Sequence, residues 1–148
     1  MIQRIQTVFL LVAILALSLE IVTPTVISSV REASGVFQDG QLSVNENIPS
    51  VGILALGGLL ALITIFLFRN RKLQKQFIIL AILAILGSNL FFGWTYLPFA
   101  QQLMATANAQ VNPGLGAFMP VVAIIGLMLA YRGVSKDDEI VKSMDRLR

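Results

Sequence analysis

The strip of residues 69–76, Arg-Asn-Arg-Lys-Leu-Gln-Lys-Gln, constrains the fold more than any other stretch of the chain. It carries four positive charges and no negative one, and these charges belong to Arg69, Arg71, Lys72 and Lys75. The apolar runs on either side are each about twenty residues long, which is enough for a helix to cross the roughly 30 Å hydrocarbon core of a bilayer. The strip therefore predicts a tight cytoplasmic loop between two membrane-spanning helices.

The composition favours a bilayer over water as the solvent of the chain. Of its 148 residues, 56% are hydrophobic and 13% are charged, and the mean hydropathy is +0.80. A soluble domain of this length has too much surface for so few charges. Four apolar runs predict spans at residues 7–27, 51–68, 77–97 and 115–131. We expect one all-α membrane domain, an antiparallel four-helix transmembrane bundle.

The first run has a second interpretation, because a basic start followed by an apolar stretch is also typical of a signal peptide. The run stays apolar through Ile27 apart from Glu20, and no small-residue cleavage site closes it. A retained span is therefore the interpretation that fits better.

The first outer connection, residues 28–50, carries a turn signal at Asp39-Gly40. A two-residue turn there pairs Gln38 with Gln41, and it predicts a small amphipathic β-hairpin with Phe37 opposite Leu42. A flexible loop is the alternative, since an isolated hairpin is marginally stable.

The other two connections predict short separate helices. In residues 98–114, Pro98 is expected to stop the third span, and a short surface helix is expected to follow. In the tail, residues 132–148, Ser135 and Asp138 match a capping box that predicts a new amphipathic helix. We expect that helix to lie on the cytoplasmic membrane surface or against the basic loop.

Positive charge predicts the orientation, because Lys and Arg are retained on the cytoplasmic side. With four spans, ten of the eleven basic residues fall on one side and only Arg31 falls on the other. The ten are Arg4, the four of the basic strip, Arg132, Lys136, Lys142, Arg146 and Arg148. We expect a bacterial inner-membrane protein with both termini in the cytoplasm.

Glu20 is the only ionisable residue inside the four predicted spans, and an acid in hydrocarbon is by default a candidate functional site. Asn89 lies at nearly the same depth in the third span, and Ser18 and Ser88 lie nearby. These four residues are expected to form a polar cluster. Three roles stay open for Glu20: a hydrogen bond that fixes packing, a contact with a partner subunit, or a proton, cation or amine site in a transport path.

The sequence offers little catalytic chemistry. It has no cysteine and no histidine, so its hydroxyl groups lack the commonest activating base. Asp137, Asp138 and Glu139 are interpreted as helix-start charges. A lipid-headgroup site in the basic loop is the lesser interpretation, because topology already explains those charges. We expect no enzyme activity, no cofactor, no metal and no nucleic-acid partner.

Three segments carry a resemblance to a known family: residues 1–7, 113–120 and 136–148, with the final Asp-Arg-Leu-Arg as the most distinctive part. The chain resembles an uncharacterised Bacteroidota family, domain-of-unknown-function family 4293. The resemblance implies a small four-helix inner-membrane protein, and it implies no activity, substrate or catalytic residue.

The function we expect is that of a non-enzymatic accessory or scaffold subunit with a membrane partner or a second copy of itself. Small-residue pairs on the helices would bind the partner; these pairs are Gly57 and Ala61, Ala84 and Ser88, and Gly126 and Ala130. The tail would bind through Ile140, Met144, Asp145, Arg146, Leu147 and Arg148. The alternative is a carrier or binding protein for a small or lipidic ligand held by Glu20.

Overall fold

A computed structural model describes residues 2–31, 37–68, 70–107 and 109–145, without the side chains at 2–4, 106, 107, 142, 144 and 145. Within these ranges the main elements are four long helices, α1 (Ile2–Val22), α2 (Ile48–Phe66), α3 (Arg71–Ala107) and α4 (Met119–Asp145). Helix α1 packs most closely on α4, and α2 packs most closely on α3. All four helices are long and apolar enough to cross a membrane, which fits the predicted bundle.

Each helix turns one regular stripe of residues into the core. In α1 the buried stripe is Gln6, Leu10, Ala13, Leu17 and Glu20, with alternating spacings of four and three. The same spacing gives the stripes of α2 (Ser50, Leu54, Gly57, Ala61, Thr64), α3 (Gln74, Ile78, Ala81, Ile85, Ser88) and α4 (Ala123, Leu127, Ala130, Val134). This period of 3.5 is that of antiparallel bundles with interlocking side chains. The other faces are apolar and exposed, as expected of surfaces that meet lipid.

The stripes place polar residues in two layers of the core. Gln6 and Glu20, Ser50 and Thr64, and Gln74 and Ser88 are pairs separated by two heptads, which is about 21 Å along a helix. We call the first layer, with Glu20, Ser50 and Ser88, the sheet-end layer. We call the second, with Gln6, Thr64 and Gln74, the basic-end layer. Since the hydrocarbon core is roughly 30 Å thick, both layers fit within its margins.

A three-stranded antiparallel sheet closes one end of the bundle, with strands β1 (Val26–Ser28), β2 (Gln41–Leu42) and β3 (Val111–Pro113) in the order β2-β1-β3. The register sets Val26 opposite Leu42 on one side and opposite Pro113 on the other. Phe37, Leu42, Val44 and Leu103 are buried beside the sheet. At this end, which we call the sheet end, these side chains continue the apolar core of the bundle.

The predicted hairpin is wrong in its pairing. The turn at Asp39-Gly40 exists, because Gly40 has φ +75° and the backbone N–H of Gln41 donates to Asp39 Oδ1 at 3.1 Å. Gln38, however, lies in a turn, and Gln41 pairs with Ile27 instead. The strand after the turn pairs with β1, in the segment of the chain that leaves α1. The alternative of a flexible loop does not describe residues 37–50 either.

Pro98 does not stop the third helix, so the prediction of a separate surface helix in residues 98–114 is wrong. Helix α3 runs through Pro98 to Ala107. An internal proline removes one helix hydrogen bond. The continuation beyond it buries Ala100 and Leu103 at the sheet end, and this packing offsets the loss.

The basic strip and the tail are more helical than predicted. Helix α2 ends at Phe66 and α3 begins at Arg71, so most of the strip is the start of α3. Just before α3, Asn70 Oδ1 accepts from the N–H of Leu73 at 3.2 Å. Up to Asp145, where the described residues end, the tail continues α4 and does not begin a new helix at Ser135. Buried Val134 and the contacts of Asp137 and Asp138 hold the tail in line with α4.

Candidate functional site

Glu20 lies in the sheet-end layer, fully buried with 0% of its surface exposed. The stripe of α1 turns it toward α3, where Asn89 Nδ2 donates to Glu20 Oε1 at 3.0 Å and also to the backbone oxygen of Ile85 at 3.0 Å. The second carboxyl oxygen, Oε2, has no hydrogen-bond partner among the described residues. The structure therefore brings Glu20 and Asn89 together, as their equal depth indicates.

The two serines of the predicted cluster behave differently. Ser88 is buried in the same layer, but its hydroxyl donates to the backbone oxygen of Ser50 at 2.8 Å and so ties α3 to α2. Ser18 lies on the exposed face of α1, and its hydroxyl donates to Ile14 O of the same helix at 3.0 Å. Ser18 is therefore not part of the cluster, because it lies between Leu17 and Glu20 of the buried stripe and is itself exposed.

Sequence reasoning missed Ser50. It is fully buried at the start of α2, its N–H donates to the capping side chain of Asn47 at 3.0 Å, and its own Oγ has no partner among the described residues. The signal was available, because Ser50 and Thr64 are two heptads apart in an apolar helix, like Gln6 and Glu20.

A shallow groove reaches this layer from outside. It has a volume of about 590 Å³ and runs along the exposed side of α3, lined by Asn89, Leu90, Gly93, Trp94, Leu97, Pro98 and Gln101. Glu20 is not among the lining residues. Asn89 therefore separates the groove from the buried carboxyl group.

A second polar site lies at the opposite end of the bundle, which we call the basic end. Gln6 Nε2 of α1 donates to Asp137 Oδ2 of α4 at 2.6 Å, and Lys75 of α3 forms an ion pair with Asp138 of α4 at 2.7 Å. The expected contact between the tail and the basic strip is thus made by Lys75. Among the other residues of the strip, Lys72 is exposed and Arg69 lies outside the described residues.

A cavity of about 240 Å³ opens at the basic end, and all four helices or their ends contribute to its walls. Its lining comprises Gln6, Thr7, Ile65, Phe68, Arg71, Gln74, Val134 and Asp137. From the sequence alone, Asp137 is interpreted only as a helix-start charge, and Gln6 and Gln74 are not singled out. Their positions on the inward stripes are the signal that could have found them.

The tail residues expected to bind a partner are only partly described. Ile140 is 42% exposed on α4. The side chains of Met144 and Asp145, and all of Arg146, Leu147 and Arg148, lie outside the described residues.

The three small-residue pairs are used inside the bundle. A Cβ built on Gly57 would lie 3.3 Å from Ala84 of α3, and one built on Gly126 would lie 3.0 Å from the backbone oxygen of Phe9 in α1. Ala61, Ala130 and Ser88 are buried as well. These faces hold the four helices together, so they are not available to a partner.

A family model described as a domain of unknown function (DUF4293) matches residues 2–147. A comparison with curated proteins found no match.

Proposed function

Since the chain belongs to the DUF4293 family, whose description states no activity, we propose its function from its own geometry: it is a non-enzymatic accessory or scaffold subunit that binds a membrane partner. The observation that carries the proposal is the burial of Glu20. The one acid among the apolar stretches is sealed at 0% exposure and hydrogen-bonded across the bundle to Asn89. A buried polar pair of this kind fixes the packing of helices without needing a ligand.

The partner surface in this proposal is the tail. The small-residue pairs pack between the helices of the bundle, so they are not free to bind a partner. The last two turns of α4 extend past the ion pair of Lys75 with Asp138. Ile140 is exposed there. Exposed apolar side chains on a helix that leaves the bundle provide a contact of the groove-binding kind.

The test is a purification in mild detergent with an N-terminal tag, comparing the full chain with a chain that ends after Glu139. A matched control replaces residues 140–148 by a flexible glycine-serine segment of the same length. We expect a protein partner in stoichiometric amount with the full chain only. If no protein accompanies the full chain and a lipid or small molecule does, the scaffold proposal fails.

We further propose that the chain sits in the inner membrane of a Bacteroidota cell, with its termini and basic end in the cytoplasm. Ten of its eleven basic residues support this orientation through the charge bias of membrane insertion.

The chain has no cysteine, so single cysteines can report the orientation. Gln38→Cys at the sheet end and Lys72→Cys at the basic end are matched, because both positions are exposed. We expect a membrane-impermeant maleimide to label Gln38→Cys in intact spheroplasts and Lys72→Cys only after lysis. The reverse labelling would contradict the orientation.

A second candidate function is a carrier or binding protein for a small or lipidic ligand. The groove along α3 favours it, because the groove exposes Asn89, the hydrogen-bond partner of Glu20. Glu20 Oε2 has no partner among the described residues, so a ligand that displaced Asn89 would meet an acid with unused hydrogen-bonding capacity.

A further inference from the structure

The cavity at the basic end carries opposite charges on its walls. Arg71, in the first turn of α3, and Asp137, on α4, both line it, and the described residues contain no ion pair between them. When two opposite charges line one cavity and do not pair with each other, each can bind a group of the opposite sign. A ligand that carries both a positive and a negative group would therefore fit between them.

Within the part of the chain that the structure describes, no ion pair compensates the charge of Arg71 or of Asp137. Lys75 is bound to Asp138, and Arg71 is the cation among the described residues that line the cavity. The first turn of α3 has no acidic residue, so the positive end of a long helix adds to the field of Arg71. Asp137 is held at the wall by the amide of Gln6, which is neutral and leaves the negative charge in place.

The lining of the cavity is amphiphilic, and the level of the cavity along the bundle matches the edge of a hydrocarbon core. Ile65, Phe68 and Val134 form the apolar part of the wall, while the amides of Gln6 and Gln74 are buried in the polar part. The basic-end layer lies about 21 Å from the sheet-end layer, near the border of a hydrocarbon core of roughly 30 Å. A volume of about 240 Å³ holds several water-sized groups, not just one.

We propose that this cavity binds a phosphate and a primary ammonium group joined by a short linker, the chemistry of a phosphoethanolamine headgroup. The guanidinium of Arg71 holds the phosphate through paired N–H donors, the geometry in which arginine binds phosphate best. The carboxylate of Asp137 accepts from the ammonium. The apolar wall packs against the glycerol and the first methylenes when the headgroup belongs to a lipid. This site is separate from residues 140–148, the part of the tail that binds the partner in the proposed function.

The chemistry predicts an order of preference among lipids. A trimethylammonium headgroup has no N–H to donate to Asp137, and a phosphatidylglycerol headgroup has no cation. The test reconstitutes the full-length protein in nanodiscs with equal parts of phosphatidylethanolamine, phosphatidylcholine and phosphatidylglycerol. Native mass spectrometry then counts the lipids retained by the protein. We expect about tenfold enrichment of phosphatidylethanolamine, the size of one charge-assisted hydrogen bond.

Two variants and two controls assign the preference to the cavity. Arg71→Gln and Asp137→Asn should each abolish the enrichment, and Asn at 137 can still accept the bond from Gln6. Lys72→Gln and Glu139→Gln remove the same charges from exposed neighbours and should leave it unchanged. Equal retention of the three lipids by the wild-type chain overturns the proposal without any variant, and so does a preference for phosphatidylglycerol.

Free phosphoethanolamine, added to the protein in detergent, separates a soluble source from a lipid source. If free phosphoethanolamine binds saturably and phosphatidylethanolamine does not displace it, the ligand of Arg71 and Asp137 is a soluble zwitterion. If phosphatidylethanolamine displaces the free compound, the ligand is the headgroup of the lipid. If neither the free compound nor the lipid binds, the cavity holds only water and the proposal is wrong.

Discussion

Replacing Gly114 by alanine is expected to lower the free energy of unfolding by about 3 kcal/mol. Gly114 follows β3, and its N–H donates to the backbone oxygen of Thr25 at 2.9 Å. A Cβ at this position would overlap the carbonyl oxygen of Pro24 and would lie 3.3 Å from Cγ1 of Ile27. The obstacle is backbone, which cannot rotate aside as a side chain can. Because Gly114 has φ −83°, the effect is steric and does not come from an unusual backbone conformation.

A second hydrogen bond holds residues 114–116 against the segment that follows α1. The N–H of Gly116 donates to Pro24 O at 2.9 Å, and a Cβ on Gly116 would lie 2.7 Å from Thr23 O. The chain entering α4 therefore runs in direct contact with the chain leaving α1. A shift forced at Gly114 would break both hydrogen bonds and loosen the sheet end.

Gly52→Ala is the matched control, because a Cβ on Gly52 meets no atom within 4 Å. Its stability should be unchanged or higher by up to about 1 kcal/mol through helix propensity. Both variants are compared by equilibrium unfolding in mixed detergent micelles, followed by circular dichroism. Equal stability of the two variants would show that residues 114–116 do not pack on the end of α1 as described.

The four helices were predictable because the apolar runs are long enough to span a bilayer and nearly free of charge. The inward faces were predictable too, although sequence analysis did not find them. In an apolar helix the few polar residues mark the side away from lipid, and Gln6 with Glu20 or Gln74 with Ser88 keep the spacing of two heptads. The contact of Glu20 with Asn89 followed from comparing depths along two spans.

The errors share one physical cause, which is that local signals compete with packing that the sequence does not display. Pro98 favours the end of a helix and the capping box at Ser135 favours the start of a new one, yet both residues lie inside a helix. Burial of Leu103 beyond the first and of Val134 beside the second outweighs them. The pairing of Gln41 with Ile27 depends on where α1 ends relative to the turn, and the turn signal alone does not contain that information.

The basic-end cavity could not be predicted for a related reason. Its charged walls come from Arg71 and Asp137, which are far apart in the chain and belong to segments that were interpreted as a loop and a separate helix. Only the continuation of α3 and α4 to the end of the bundle brings the two charges to one space.

The second large effect on stability is expected at Glu20, where two substitutions are compared. Glu20→Ala should lower the free energy of unfolding by about 3 kcal/mol, because it opens a cavity beneath the sheet end and removes the acceptor of Asn89. Glu20→Gln should stay within about 1 kcal/mol of the wild-type chain. The glutamine oxygen still accepts from Asn89, and its amide group fills the place of Oε2, which has no partner among the described residues.

The two substitutions also separate the two candidate functions. If Glu20 serves packing alone, Glu20→Gln keeps both its stability and its protein partner in the mild-detergent purification, and Glu20→Ala weakens both together. If the groove beside Asn89 delivers a ligand to the acid, Glu20→Gln stays folded in micelle unfolding but loses the ligand, since an amide cannot supply the charge. A Glu20→Gln chain as unstable as Glu20→Ala would contradict both readings, because it would mean that the fold itself requires the carboxyl group and not merely its shape and its one acceptor bond.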